Sequence, residues 1–335
     1  MNTAKFGATS KEQAAASAVN GPAPALESVR DGIWALGLRM PDERPSYSLA
    51  YLLADDRGGL HVIDPGWADS HNWELLLRAI VATGHRVRDV ASVIITHLHA
   101  DHTGLAARLR EESGSPVTLL DREQRAIDEN TGRPRFADFE SWGTPASDRA
   151  AVASVASVPR DSPLDRADVL VSDGDLLEVP GRSLRALHTP GHTPGHLCLV
   201  EEDELILFTG DHLLPNVFAG VGIGGRAADP LGDFFASLAR IQSMIDHEAC
   251  PGHGYRFAGI SERCAATREH HLKRSAEVAA ISEAVPGLSV WEVASRIEWS
   301  AGWSNLNPLH RVNALAQTEM HLAYLGSREP EPGAS

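Results

Sequence analysis

Cysteine is scarce in this chain. Cys198, Cys250 and Cys264 are scattered and odd in number, which excludes a disulfide framework and does not match the spacing of thiolate zinc sites, so each reads as a small buried hydrophobe. Aromatic residues make up only 6% of the composition, and no window approaches the roughly 18 uncharged apolar residues of a membrane span. Positive charge is also short: 30 Lys and Arg face 45 Asp and Glu, a formal net charge of −15. A broad electrostatic footprint for nucleic acid is therefore missing. The opening "MNTAKFGATSKEQAAASAVNGPAPA" has no continuous apolar core of the kind a signal peptide needs. Residues 1–26 are expected to form a flexible tail, and the protein is expected to be soluble and cytoplasmic. The stretch "LLPNVFAGVGIGGRAADPLGDFF" is glycine-rich but lacks G-x-x-x-x-G-K-[ST], which argues against a phosphate-cradling loop. It is expected to rim a pocket instead, with Phe218 and Arg226 either substrate contacts or, as the preferred reading of each, ordinary loop residues.

What is present suffices for one large domain and a smaller one: 335 residues, 43% hydrophobic. Short strands broken by turns run from "GIWALGL" through "SYSLAYLLA" to "LHVIDPG". A helix follows in "DSHNWELLLRAIVATG", with Asp69 or Ser70 as N-cap and Gly84 as stop. The β-branched run "VASVIIT" predicts a buried strand, and strands resume in "DVLVSD", "SLRALHT", "HLCLVEE" and "LILFTGD". Residues 122–166 have helical pieces without a strand, the length of a lid or binding loop. After "PGHG" the pattern turns wholly helical, with a Ser289/Glu292 capping box. The expected division is a catalytic domain over 27–258 carrying the 122–166 insertion, a helical C-terminal domain over 259–328, and a tail over 329–335. Trp291, Trp299 and Trp303 are expected as packing anchors of the small domain.

The stretch "THLHADHTG" crowds three histidines and an aspartate into six residues directly after a buried strand. His97 and His99, two apart in extended backbone, can point the same way; Asp101 and His102 follow at the turn into a helix, where they can face a second centre. One tetrahedral ion does not easily accept all four groups, so two adjacent cations suit them better. More ligands must come from strand ends elsewhere, and the candidates are His192 in "TPGHTPGH", Asp211 in "FTGDH" and His253 in "PGHG". Asp64 in "HVIDPG" is expected to hydrogen-bond beneath the site rather than to ligate. His196 and His212 neighbour these candidates, either as supporting or substrate-contacting groups or as simple partners of a backbone carbonyl, with neither reading preferred. His270, His271, Lys273 and Arg274 could attract an anionic tail or form a solvated helix face, and the second reading is preferred.

These ordered motifs resemble the metallo-β-lactamase fold superfamily of metallo-hydrolases: "THLHADHTG" fits its H-x-H-x-D-H signature, and Asp64, His192, Asp211 and His253 fall in its order. The resemblance implies a four-layer αββα sandwich with a small, winged-helix-like helical C-terminal domain, as in glyoxalase-II-like hydrolases and lactamase-like endoribonucleases. It implies that His97, His99 and His192 hold one metal, that Asp101, His102 and His253 hold the other, and that Asp211 bridges them. The expected cofactors are two divalent ions, zinc first, with iron or manganese as alternatives. The expected activity is that of a binuclear metallo-hydrolase whose metal-bridging hydroxide, oriented by Asp101 as catalytic residue, cleaves a carboxylic ester, thioester or lactone. Alternatives are a phosphodiesterase or single-strand endoribonuclease, a mononuclear iron persulfide dioxygenase, and an inactive binding protein. Aspartate rather than cysteine at 211 departs from the zinc sites of antibiotic-destroying relatives, and histidine rather than glutamate at 99 departs from the flavodiiron branch. The expected partner is a small-molecule substrate, without membrane or nucleic acid; a homodimer is one allowed oligomeric state.

Overall fold

Alternation within the strands decides how this chain layers. In "YSLAYLLA", Leu49, Tyr51 and Leu53 join one apolar cluster while Ala50 and Leu52 join another, as the two-residue period of an extended chain requires. In "LCLVE", Leu197 and Leu199 likewise separate from Cys198 and Val200. Each strand therefore faces apolar neighbours on both sides, and both faces of each sheet must be covered.

A computed structural model describes residues 7–41, 45–130, 136, 139–157, 163–225 and 227–327. The strands are β1 (Gly7–Ala8), β2 (Glu27–Arg30), β3 (Ile33–Arg39), β4 (Tyr47–Ala54), β5 (Leu60–Ile63), β6 (Val90–Ile94), β7 (Val117–Leu120), β8 (Val169–Val171), β9 (Leu184–His188), β10 (Leu197–Glu201), β11 (Ile206–Gly210), β12 (Glu248–Pro251) and β13 (Phe257–Ala258). One sheet runs β2-β3-β4-β5-β6-β7-β8, antiparallel as far as β5 and parallel from β5 to β8. The other runs β1-β13-β12-β11-β10-β9, with β11 and β12 parallel. Between the sheets lie Ile33, Tyr51, Ile94, Leu199, Phe208 and their neighbours. Helices Ser70–Ala82 and Ala106–Ser113 cover the first sheet through Trp73, Leu76, Ile80 and Leu109. Helix Pro230–Ile241 covers the second through Phe234, Leu238 and Ile241. This is the expected αββα sandwich.

Local signals set the helix ends where the sequence places them. Asp69 accepts the Asn72 N–H, Asp229 accepts the Gly232 N–H ahead of Pro230, and Ser289 and Glu292 form the reciprocal capping box.

Two expectations change. The segment expected as a flexible tail is ordered from Gly7: β1 pairs with β13, and Ser10 caps a helix over Lys11–Ala18. The inward residue of that helix is Gln13, whose side-chain oxygen accepts the Arg256 N–H and whose carbonyl accepts the Tyr47 hydroxyl. A buried amide whose oxygen is held by distant backbone leaves no apolar stripe to read. The boundary expected near Ala258 is not a packing boundary either. From helices Ile260–Ala284 and Pro308–Gly326, the residues Ile260, Cys264, Met320 and Tyr324 enter the core under the second sheet. The described residues after 258 contain no strand.

Part of the 122–166 insertion packs on helices Val290–Ala294 and Pro308–Gly326. Trp142, Val152 and Ala156 share an apolar cluster with Trp291, Ala294, Val312 and Leu315, and Arg311 pairs with Asp148 at 2.7 Å. Residues 131–135, 137–138 and 158–162 of the insertion, and the expected tail 329–335, lie outside the described residues. Trp291 and Trp303 meet edge to face at 5.1 Å, as packing anchors do. Trp142 is fully buried. Trp142→Ala is expected to lower stability by about 3–5 kcal/mol, read as a shifted urea midpoint, because it leaves a large cavity between insertion and C-terminal helices.

Candidate metal centre

Parallel pairing sends β5 and β6 in one direction and β11 and β12 in one direction, so residues just past their ends can meet. Asp64 follows β5, the His97–His102 stretch follows β6, Asp211 follows β11 and His253 follows β12; His192 comes from the loop between β9 and β10. All seven expected ligands converge. His97, His99, His192 and Asp211 form one group and Asp101, His102 and His253 another, the ligand atoms of each lying within 4.8 Å of one another. Asp211 stands between them: Oδ2 is 3.7 Å from His192 Nε2 and 3.4 Å from His253 Nε2, and Oδ1 is 3.6 Å from His102 Nε2. Asp101 Oδ2 is 3.0 Å from His253 Nε2 and 3.5 Å from His102 Nε2.

Each imidazole is tied down by the nitrogen that faces away. His99 Nε2 meets the Ile223 carbonyl at 3.0 Å, His192 Nδ1 the Gly220 carbonyl at 2.6 Å, and His253 Nδ1 the Tyr47 carbonyl at 2.9 Å. His102 Nδ1 meets Asp64 Oδ2 at 2.8 Å, and His97 Nδ1 meets Thr96 Oγ1, which itself donates to Asp64. A carbonyl or carboxylate partner takes the ring proton, so the inward nitrogen carries a lone pair. Three such nitrogens crowd together, with His97 Nε2 and His192 Nε2 at 2.9 and 3.2 Å from His99 Nδ1. Converging lone pairs repel unless a cation lies among them. Two inward atoms, His102 Nε2 and Asp211 Oδ1, are also buried without a hydrogen-bond partner. This donor set, imidazole nitrogens with carboxylate oxygens, fits divalent zinc, iron or manganese.

Electrostatics follow the same division. Burial, with His192 beside it, pushes His99 down to about 3, and burial holds His97 well below the ordinary histidine value. Burial also opposes a charge on His253, yet Asp211 and Asp101 outweigh it and raise the ring to about 10. Against burial, His102 and His253 hold both carboxylates below their usual range. The imidazoles of the first group are therefore held neutral beside one carboxylate, whereas in the second the carboxylates favour positive charge on His102 and His253.

Asp64 takes the supporting place expected of it. Its carboxylate accepts the Thr96 N–H and hydroxyl as well as His102, and its backbone sits at φ +51°, a strained conformation for a non-glycine residue. His196 accepts the Asp211 N–H on Nε2 while Thr189 meets Nδ1, so it fixes the backbone of Asp211. His212 is buried against the ring of Phe234. Gly252 must be glycine, because a Cβ there would lie 2.4 Å from Asp211 Oδ1.

One supporting residue is not marked in the sequence. Glu123, at the start of helix Asp121–Asn130, is fully buried and accepts the Leu98 N–H on one oxygen and the Gly195 N–H on the other, each at 2.8 Å. It ties the "THLHADHTG" loop to the "TPGHTPGH" loop, and burial pushes its carboxyl up to about 7. Gly195 makes the approach possible, since a Cβ would lie 2.1 Å from the Glu123 nitrogen. Within "DREQ" such a residue reads as one more solvated helix charge.

The rim loop also reaches the centre, since Gly220 and Ile223 supply two of the carbonyls named above. Phe218 stacks on His270 at 3.9 Å, with the Arg263 guanidinium 4.5 Å from its ring; Arg226 lies outside the described residues. The basic group beyond it is not a free patch: His271 is buried, Lys273 pairs with Glu269 and Arg274 with Glu277. All three cysteines are buried free thiols. No described helix is long and apolar enough to cross a membrane.

A two-sheet sandwich with a histidine and aspartate cluster at its strand ends defines a class of metal-dependent folds, and comparison places the chain within it. The family model described as "Metallo-beta-lactamase superfamily" matches residues 44–253. A metallo-beta-lactamase family protein from Thermus thermophilus superposes with TM-score 0.69 and 27% identity, over 89% of this chain and 94% of that one. A beta-lactamase domain protein from Burkholderia ambifaria gives 0.70 and 26%, over 90% and 88%. A hydroxyacylglutathione hydrolase of Haemophilus influenzae is 28% identical over 63% of this chain and 88% of its own length, and an atrochrysone carboxyl ACP thioesterase of Aspergillus chevalieri is 28% identical over 56% and 46%. The chain belongs to the metallo-β-lactamase superfamily. It spans about half the length of the curated fungal relatives it matches.

Asp64→Ala removes the anchor of His102 and of Thr96 together, and is expected to weaken metal retention about 10–100-fold in competition with a chromogenic chelator. Glu123→Ala is expected to cost about 1–3 kcal/mol for each backbone N–H left unpaired, read by urea denaturation.

Proposed function

We propose that this protein is a metal-dependent hydrolase of acyl compounds, with thioesters first and carboxylic esters and lactones beside them. The observation that carries the reading is the convergence of three imidazole lone pairs on one side of Asp211 and the Asp101, His102 and His253 group on its other side. His97, His99, His192 and Asp211 would hold one divalent ion, and Asp101, His102 and His253, with Asp211 beside them, a neighbouring one. Bound there, such ions supply Lewis acidity, which polarises an acyl carbonyl and makes water a nucleophile near neutral pH. The names of two relatives, a thioesterase and a hydroxyacylglutathione hydrolase, support the thioester among acyl substrates.

The chain's own residues do the orienting. Asp101 is held by His102 and His253, and its side chain is 14% exposed, so it can accept a proton of an attacking water and fix the direction of its lone pair. Asp64, Thr96 and the backbone carbonyls keep the imidazoles from rotating as charge develops. Phe218 and its stacked partner His270 offer an apolar edge to an acyl chain. The net charge of −15 disfavours a polyanionic substrate.

Metal quantification coupled to a panel of acyl thioesters, lactones, aryl esters and phosphodiesters tests the proposal. Two ions per chain and thioester turnover that vanishes on chelation and returns with zinc are expected. A single iron with oxygen uptake, or dominant phosphodiester cleavage, would overturn it. Asp101→Ala is expected to lower kcat at least about 100-fold after the variant is reconstituted to the metal content of the parent; unchanged turnover would remove Asp101 from this role.

A further inference from the structure

A second constellation lies near the starting ends of the strands that carry the metal centre. His61 on β5 and Ser92 on β6 are register partners, with Ser92 Oγ 2.7 Å from His61 Nδ1. His61 Nε2 lies 3.2 Å from Asp55 Oδ2, in the turn that leads into β5. The other Asp55 oxygen accepts the N–H groups of Arg57 and Gly59, at 2.8 and 2.7 Å, which locks the carboxylate towards the ring. An ionised Asp55 accepts from Nε2–H, which leaves the lone pair on Nδ1 facing the Ser92 hydroxyl. The order is hydroxyl, imidazole, carboxylate, each within hydrogen-bond reach of the next.

The three residues line a common cleft of about 520 Å³, together with Val169, Leu176 and Thr118. The His61 and Asp55 side chains are 2% and 5% exposed, so the relay is shielded, while Val169 and Leu176 present apolar surface at 42% and 61%. The cleft is not the metal site. Asp64 lies three residues beyond His61 and His97 five beyond Ser92, which at about 3.3 Å per residue of strand separates them by roughly 10–16 Å. A purely structural histidine needs its two nitrogens satisfied; it does not need a hydroxyl partner opening into a cavity of ligand size.

We propose that Ser92, His61 and Asp55 form a second, metal-independent nucleophilic site that takes small esters with an apolar acyl group. Ser92 Oγ attacks the acyl carbon while its proton passes to His61 Nδ1; the C–O bond to the leaving alcohol breaks, and the alcohol takes that proton from His61. Water then gives a proton to His61 and its hydroxyl to the acyl carbon. The acid departs as the proton returns to Ser92, and one ester and one water become one acid and one alcohol. Asp55 holds the ring tautomer throughout. The ring starts neutral, since burial outweighs Asp55 and keeps His61 below the ordinary histidine value.

An alkyl fluorophosphonate tests this on the metal-loaded protein, because it forms an Oγ–P bond as P–F breaks and the serine proton passes to the base. Mass mapping is expected to place a single adduct on Ser92, absent in Ser92→Ala. His61→Gln is expected to slow labelling about 100-fold at unchanged circular dichroism, and Asp55→Asn to slow it as well if His61→Gln does not fold. Thioester turnover of Ser92→Ala is expected to match the parent protein, so failure here and failure of the metal-site proposal read separately. No adduct on Ser92, or labelling of other serines at the same rate in Ser92→Ala, would overturn the inference.

Discussion

Clustered imidazoles repel one another's lone pairs, so a protein can gather five of them only if the outward nitrogen of each is already committed. Here that commitment is spread over distant segments. Asp64 holds His102 and, through Thr96, His97; Tyr47 holds His253; Gly220 and Ile223 hold His192 and His99. Strand order, helix starts and loop paths all serve to put these acceptors where a ring needs them.

The same economy explains the buried acids. Asp211 is reached from both groups and has its own backbone N–H fixed by His196. Glu123 does not face the cluster at all, yet it joins the two loops that deliver most of the candidate ligands. Both carboxylates sit on backbone that glycine alone permits to come so close, at Gly252 and Gly195.

The sandwich and its ligand candidates are legible because their signals are local. Strand alternation, caps at Asp69, Asp229 and Ser289, and the ordered "THLHADHTG", "TPGHTPGH", "FTGDH" and "PGHG" each announce themselves within a few residues. What stays hidden depends on partners far along the chain. The N-terminal helix buries a glutamine whose oxygen is held by Arg256, Glu123 is satisfied by Leu98 and Gly195, and Trp142 packs on residues more than a hundred positions later. The Ser92, His61 and Asp55 alignment is of the same kind, since no motif joins a serine and a histidine across parallel strands. The C-terminal helices show the opposite failing, in which a change of composition suggests a boundary that packing ignores.

The rim loop carries one more consequence. Its backbone at Gly220 and Ile223 orients two imidazoles, while its side chain at Phe218 faces outward. A lineage that retunes this pocket for another acyl group is thus free to exchange side chains there but not to lengthen or shorten the loop, because any insertion would unhook His192 and His99. Diversity of substrate is then written in residue identity at a fixed loop length.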